Sequence, residues 1–153
     1  MSNISELTLT KIVNGIKKKD FTSEEVTNSF INKSQKSKKL NVYITECFEE
    51  ALKSAKNFDK KKDNKGLLSG VPIAVKDLFC TKNVKTTAGS KILNNFIPTY
   101  ESTVTSNLWE NGAILLGKLN CDEFAMGSSN ETSFFGNVQS PIGKNLVPGG
   151  SSG

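Results

Sequence analysis

Two short apolar runs with a helical segment between them constrain the fold of this chain most strongly. Residues 73–75 read Ile-Ala-Val and residues 113–116 read Ala-Ile-Leu-Leu, and proline or glycine flanks each run. The segment 102–110 carries apolar residues at helical spacing and is followed by Asn-Gly. Strand, crossover helix and strand form a βαβ unit, whose two strands run parallel. The sequence therefore predicts an α/β fold in this part of the chain.

The residues before this unit indicate helices. Thr8 precedes a stretch with apolar residues at helical spacing and is a candidate N-cap. Thr22 and Glu25 have the spacing of a capping box, in which each residue satisfies a free backbone amide of the other. A third helix is predicted over 48–58, where alanine and leucine recur on one face.

The composition changes after a charged run at residues 59–65, which is typical of a surface loop. We predict two parts on this basis. Residues 1–65 form a leading helical segment, and residues 66–153 form the start of an α/β core that we expect to be cut off inside the loop 149–153.

The composition excludes several kinds of chemistry. The chain has no His, which rules out Ser-His-Asp and Cys-His sites and His-based zinc centres within it. The three Cys residues are widely spaced, which predicts neither disulfides nor a metal site. All 20 basic residues are Lys, and the densest patches, 17–19 and 60–62, are interpreted as solvated surface. No signal peptide or membrane span is indicated, so we expect a cytoplasmic protein.

Two features carry candidate chemistry. Lys76 follows a buried strand, and side chains at the carboxyl ends of parallel strands face ligand-binding crevices. A partly desolvated Lys loses its proton more readily and can act as a base. The alternative is a structural pair with Asp77. Residues 149–153, Gly-Gly-Ser-Ser-Gly, form a loop whose backbone can approach a ligand closely, although such runs are also common in linkers.

Taken together, the motifs resemble the amidase-signature family from about Leu7 to the last residue. Residues 70–77, GVPIAVKD, resemble the lysine motif of that family, and residues 148–153, PGGSSG, resemble the start of its serine-rich signature. The stretch 122–131, DEFAMGSSNE, is the most specific, and 85–90 and 116–120 fit as well. The resemblance implies an amidase-signature fold, with a mixed, largely parallel sheet flanked by helices, of which these residues form the N-terminal portion.

The resemblance also implies a Ser–cis-Ser–Lys mechanism, which needs no His. It assigns Lys76 as the catalytic lysine and Ser151 as the cis-serine, preceded by a non-proline cis peptide bond. The family's nucleophilic serine lies roughly two dozen residues after the cis-serine, which places it beyond Gly153. We therefore expect this polypeptide to be a fragment without its nucleophile and inactive alone.

Within the family, the resemblance is closest to members that hydrolyse glutamine for tRNA-dependent amidation. It implies two partner subunits, GatB and GatC, with glutamine and tRNA(Gln) as substrates of the heterotrimer. It implies no cofactor or metal in this chain, and ATP with Mg²⁺ used through a partner subunit. The residues implied to bind substrate are Met126, Gly127, Ser128 and Ser152.

Other readings stay open at this point. The chain could belong to a stand-alone amidase acting on another amide, to a binding module without catalysis, or to a nucleic-acid-binding module. The adjacent carboxylates Asp122 and Glu123 point in different directions on any regular element, so we predict helix caps or salt bridges for them. The hydroxyls of Ser90, Ser128, Ser129 and Ser133 are interpreted as loop and cap groups and not as a replacement nucleophile.

Overall fold

The computed structural model describes residues 4–61 and 66–153 of the chain. Its helices are α1 (Leu9–Lys18), α2 (Ser23–Lys36), α3 (Phe48–Asp59) and α4 (Thr103–Glu110), and its strands are β1 (Tyr43–Glu46), β2 (Pro72–Lys76) and β3 (Ile114–Leu119). Short 3-10 helices occur at Ile4–Glu6, Lys38–Leu40 and Glu123–Ala125. No helix in this part of the chain is long and apolar enough to cross a membrane.

The predicted helix starts are confirmed. The Thr8 side chain accepts a hydrogen bond from the Lys11 amide at the start of α1. The capping box at α2 is reciprocal: the Thr22 amide donates to the Glu25 carboxylate at 2.7 Å, and the Glu25 amide donates to Thr22 Oγ1 at 3.1 Å. These bonds satisfy amides that the helix cannot pair internally, and they fix where α2 begins.

The sheet is mixed and has the strand order β1-β3-β2. The Ile114 amide donates to the Val71 carbonyl, and the Asp77 amide donates to the Leu119 carbonyl. Partner numbers rise together along both strands, so β2 and β3 are parallel, as the βαβ pattern predicts. Their carboxyl ends therefore lie at the same edge of the sheet.

Strand β1 pairs antiparallel with β3 and lies inside the segment predicted to be helical. The sequence prediction missed it, although Val-Tyr-Ile-Thr at 42–45 is a run of β-branched and aromatic residues. The predicted boundary between residues 65 and 66 directly follows residues 62–65, which lie outside the described residues. The boundary therefore stays a prediction.

The chain forms two compact units, each drawn from three segments. The first, called the helical unit, comprises Met1–Lys36, Cys47–Ile73 and Asn107–Leu116. Its core is apolar: Ile12, Val26 and Val71 are buried together and are covered by partly buried side chains that include Phe21 and Phe30. The Lys residues at 17–19, 60 and 61 are exposed, as predicted, and Lys62 lies outside the described residues.

The second, called the loop unit, comprises Ser37–Glu46, Ala74–Ser106 and Gly117–Gly153. Its interior is largely polar, and its fully buried side chains include Lys118, Asn120, Asn130, Asp77 and Asp122. Burying charged groups costs free energy unless each has a partner, so this interior indicates a built site and not a core formed for stability alone.

Candidate active site

Lys76 and Ser151 meet in the loop unit. Lys76 is the last residue of β2, and its Nζ is hydrogen-bonded to Ser151 Oγ at 2.6 Å. The sequence separates the two residues by 75 positions. The peptide bond between Gly150 and Ser151 is cis, as predicted. The structure therefore brings together the two residues that the sequence singles out for catalysis.

The segment that follows β3 holds the serine loop in place. The Asp122 amide donates to the Ser151 carbonyl at 3.0 Å, and Cys121 and Ser152 form an antiparallel bridge. The Gly153 amide donates to the Asn120 carbonyl at 3.3 Å. Because β2 and β3 are parallel neighbours, the same sheet edge supplies Lys76 and the backbone that carries Ser151.

A close backbone approach explains why residue 150 is glycine. A Cβ built on Gly150 would lie 2.4 Å from the Ser128 carbonyl carbon, 2.4 Å from the Ser129 nitrogen and 2.5 Å from Asp122 Oδ2. Such contacts are far shorter than a side-chain atom tolerates. The loop 127–129 and the serine loop therefore pack backbone to backbone beside Ser151.

Asp122 organises this packing as a buried anion. Its carboxylate accepts hydrogen bonds from the Asn130 amide at 3.0 Å, the Thr132 amide at 3.2 Å and the Thr132 hydroxyl at 2.9 Å. Burial acts to raise the pKa of Asp122, but these hydrogen bonds outweigh it and hold the pKa below its usual value.

The prediction of caps or salt bridges for Asp122 and Glu123 is wrong. Asp122 makes no capping bond to the following 3-10 helix, because its carboxylate instead folds the loop 122–132 back on itself. Glu123 accepts a hydrogen bond from Ser90 Oγ at 2.6 Å, across 33 residues of sequence. The partner of Glu123 is distant in sequence, and those of Asp122 lie 8 and 10 residues later in an irregular loop, so helix spacing reveals neither.

Two of the four residues implied to bind substrate, Ser128 and Ser152, lie beside the serine loop. The Ser128 backbone lies against Gly150, and Ser152 forms a β-bridge with Cys121. A Cβ on Gly127 would lie 2.3 Å from the Asp122 carboxyl carbon, so this position also requires glycine. Met126 is 79% exposed, and its side chain is accessible. Their role in binding stays a prediction.

The other loop serines are engaged elsewhere. Ser90 donates to Glu123, Ser133 donates to the Asn120 side-chain oxygen at 2.6 Å, and Ser129 donates to Glu131. These contacts match the prediction that they are loop groups.

Lys76 does not form a structural pair with Asp77. The Asp77 carboxylate faces Lys118, with Oδ1 3.7 Å from Lys118 Nζ and neither side chain exposed. Asp77 Oδ2 accepts hydrogen bonds from the Thr87 amide at 2.8 Å and from the Thr87 hydroxyl. Burial raises the pKa of Asp77, while the Thr87 hydrogen bonds and the charge of Lys118 act to lower it.

Sequence reasoning missed the role of Lys118. The signal was available, because Lys118 lies within the apolar run 114–119, where a lysine is buried only if a partner compensates its charge. What the sequence did not provide was the partner, which lies 41 residues earlier.

The cysteines carry no disulfide, as predicted, and differ in environment. Cys121 is buried, while Cys47 and Cys80 are half-buried. Burial and the charge of Asp77 raise the pKa of the Cys121 thiol to about 11. Within residues 4–61 and 66–153, no cluster of three or more His, Cys, Asp or Glu side chains is arranged to hold a metal ion.

Comparisons with known proteins identify relatives of this chain. The family model described as Amidase matches residues 25–153. The GatA subunit of glutamyl-tRNA(Gln) amidotransferase from Pelagibacter ubique (strain HTCC1062) is 72% identical over 100% of this chain and 32% of the relative. GatA of Hyphomonas neptunium (strain ATCC 15444) is 52% identical over 100% of the chain and 33% of the relative.

A solved structure gives the same result for the fold. The crystal structure of the GatA subunit of glutamyl-tRNA(Gln) amidotransferase from Thermotoga maritima superimposes with a TM-score of 0.79 at 28% identity, over 99% of this chain and 31% of that one. The chain thus spans about a third of the length of the curated relatives that it matches.

Proposed function

The chain belongs to the amidase family, and from that premise we propose that it carries two catalytic residues of GatA, the glutaminase subunit of a glutamyl-tRNA(Gln) amidotransferase. GatA hydrolyses glutamine and supplies ammonia for the conversion of Glu-tRNA(Gln) into Gln-tRNA(Gln). The contact between Lys76 Nζ and Ser151 Oγ, at 2.6 Å and on a cis-linked loop, carries the proposal. The similarity to GatA over the whole chain supports the choice of substrate.

In the proposed reaction, neutral Lys76 accepts the proton of the Ser151 hydroxyl, and Ser151 takes a proton from a nucleophilic serine. The nucleophile attacks the side-chain amide carbon of glutamine, and the proton returns through the same relay to the departing ammonia. Water then hydrolyses the acyl-enzyme to glutamate. The lysine therefore acts as a base first and as an acid afterwards.

We further propose that the protein works in the cytoplasm with the partner subunits GatB and GatC. Ammonia passes to a partner subunit, where ATP and Mg²⁺ serve to activate the glutamyl group on tRNA(Gln). Residues Met126, Gly127, Ser128 and Ser152 are proposed to contact glutamine, because Ser152 follows Ser151 and the Ser128 backbone lies against Gly150, with Met126 and Gly127 directly before it in the chain.

The test uses the full-length protein in complex with its partner subunits. Lys76→Ala and Ser151→Ala are expected to lower glutaminase kcat by about 10²–10⁴-fold, the range for loss of general acid–base catalysis. Lys53→Ala and Ser54→Ala are matched controls, since both residues are exposed on α3. Added ammonium chloride should restore Gln-tRNA formation by the Lys76→Ala complex, because it bypasses glutamine hydrolysis.

Two results would contradict this function. Wild-type glutaminase activity in the Lys76→Ala complex would remove the lysine from the mechanism. Hydrolysis of other amides but not of glutamine by the wild type would favour a stand-alone amidohydrolase instead.

A further inference from the structure

The serine loop 148–153 contains little that could fix its own position. Three of its six residues are glycine, the residue that restricts the backbone least. A Cβ built on Gly149 would meet nothing within 4 Å. The contact of 2.6 Å between Ser151 Oγ and Lys76 Nζ nevertheless requires a defined backbone. The groups that fix this loop must therefore come from outside it.

Asp122 contacts the serine loop on both sides of Ser151. The Asp122 amide donates a hydrogen bond to the Ser151 carbonyl at 3.0 Å. The residue before Ser151 is Gly150, and a Cβ built on it would lie 2.4 Å from the peptide between Ser128 and Ser129 and 2.5 Å from Asp122 Oδ2. Ser151 is therefore held through both of its flanking peptide groups, and Asp122 takes part in both contacts.

The Asp122 carboxylate also fixes the loop 127–132, which packs against the serine loop. The side chain is fully buried, and its Oδ2 accepts from the Asn130 amide at 3.0 Å. Its Oδ1 accepts from the Thr132 amide at 3.2 Å and from the Thr132 hydroxyl at 2.9 Å. A Cβ on Gly127 would lie 2.3 Å from the carboxyl carbon, so both ends of the loop rest on one group. Hydrogen bonds to an ionised acceptor are about twice as strong as those between neutral groups.

These contacts form a closed ring from Asp122 through the loop 127–132 to Gly150, Ser151 and back to Asp122. The carboxylate is ionised near neutral pH, because its pKa lies below the usual value. We infer that Asp122 is a positioning residue, whose buried carboxylate places the Ser151 hydroxyl within reach of Lys76. This inference rests on the proposed function and adds a residue that acts on the reaction only through Ser151.

The first test is glutaminase kcat of the full-length complex with Asp122→Asn. An Asn side chain has one acceptor oxygen, and its NH2 group would face amides that now donate to the carboxylate. At least one of these bonds is lost, so kcat should fall about tenfold, which is less than for a displacement of about 1 Å. Glu131→Gln is the matched control, since it makes the same chemical change at an exposed residue of the same loop, and kcat should not change.

A second test separates action through Ser151 from a general loss of folded protein. Asp122→Asn is combined with Ser151→Ala, which removes the hydroxyl that Asp122 is inferred to place. The double variant should match Ser151→Ala within about twofold, because interacting residues are not additive. A role in folding or in glutamine binding would instead lower the rate of Ser151→Ala by about the same factor as in the wild type.

Thr132 allows a milder change at the same carboxylate. Its hydroxyl donates to Asp122 and accepts from the Glu123 amide at 3.0 Å, which closes the loop. Thr132→Val removes the hydroxyl at similar size and should lower kcat about threefold, whereas Thr132→Ser keeps the hydroxyl and should retain the wild-type rate. This pair decides if Asp122→Asn does not fold or if Ser151→Ala is too slow to measure.

The outcomes distinguish this inference from the proposed function. Wild-type kcat in Asp122→Asn, additive losses with Ser151→Ala, or equal rates in Thr132→Val and Thr132→Ser would overturn the inference alone, provided that Lys76→Ala inactivates the complex. An active Lys76→Ala complex would overturn the proposed function, and this inference with it.

Discussion

Gly150 offers the sharpest test of how the serine loop is held. A Cβ at this position would lie 2.4 Å from backbone atoms of Ser128 and Ser129 and 2.5 Å from Asp122 Oδ2. Ordinary contacts of a Cβ begin near 3.4 Å, so Gly150→Ala requires a displacement of about 1 Å. The atoms in the way are backbone and a carboxylate fixed by hydrogen bonds, and a rotamer change cannot relieve the collision.

The displacement acts on the next residue, Ser151, and on its contact with Lys76. A misplacement of about 1 Å in a catalytic group can lower the rate by about 10²-fold. We therefore expect Gly150→Ala to lower glutaminase kcat/KM of the full-length complex by about 10²-fold, while the circular dichroism spectrum and the assembly of the complex stay unchanged.

Gly149→Ala separates backbone strain from steric collision as reasons for glycine in this loop. Gly149 has φ +108°, and a Cβ there would meet nothing within 4 Å. Alanine at 149 thus introduces backbone strain without a collision, and the loss of activity should be smaller than for Gly150→Ala. Activity of Gly150→Ala within about threefold of the wild type would refute the reasoning, since it is far from the 10²-fold expected.

Three further predictions concern stability and reactivity. Asp122→Asn removes the charge from a carboxylate that accepts three hydrogen bonds, so amide exchange in residues 126–132 should accelerate about 10–100-fold at pH 7. Because the fold lowers the pKa of Asp122, the stabilisation by its carboxylate is complete above the pKa of an unfolded carboxyl group and disappears as the pH falls through the lower pKa of the folded state. A difference in exchange between the wild type and Asp122→Asn that persists unchanged in strong acid would contradict this. Thr22→Ala should destabilise the start of α2 by about 1 kcal/mol in hydrogen exchange, whereas Thr22→Ser keeps the capping hydroxyl and should not. With a thiol pKa of about 11, Cys121 should react with iodoacetamide at pH 8 at least about tenfold more slowly than an unfolded cysteine, as peptide mapping would measure; equal rates would contradict its burial.

The sequence predicts those features that local patterns encode. The helix starts at Thr8 and Thr22 and the strands β2 and β3 follow from spacing within a few residues, and the parallel pairing of β2 and β3 follows from the order strand, helix, strand. The roles proposed for Lys76 and Ser151 needed the family resemblance, because neither residue is distinctive alone. Their contact at 2.6 Å then places the two in one site.

What the sequence could not supply are partners across long separations. Strand β1 lies in a segment dominated by helices, and only pairing with β3 selects its extended form. The partners of Lys118 and Glu123 lie 41 and 33 residues earlier in the chain. Such contacts depend on the folded topology, and spacing rules do not reach them.

The distance in sequence between Lys76 and Ser151 has a consequence for synthesis. A ribosome working at about 5–20 residues per second needs about 4–15 s to proceed from one to the other. During that time the nascent chain has produced the lysine but not the serine loop, and Asp77 also precedes Lys118 by 41 positions. Both the proposed base and its acidic neighbour therefore lack their partners until later parts of the chain have been made. A nascent chain interrupted between residues 76 and 151 therefore contains one of the two proposed catalytic groups and lacks the other.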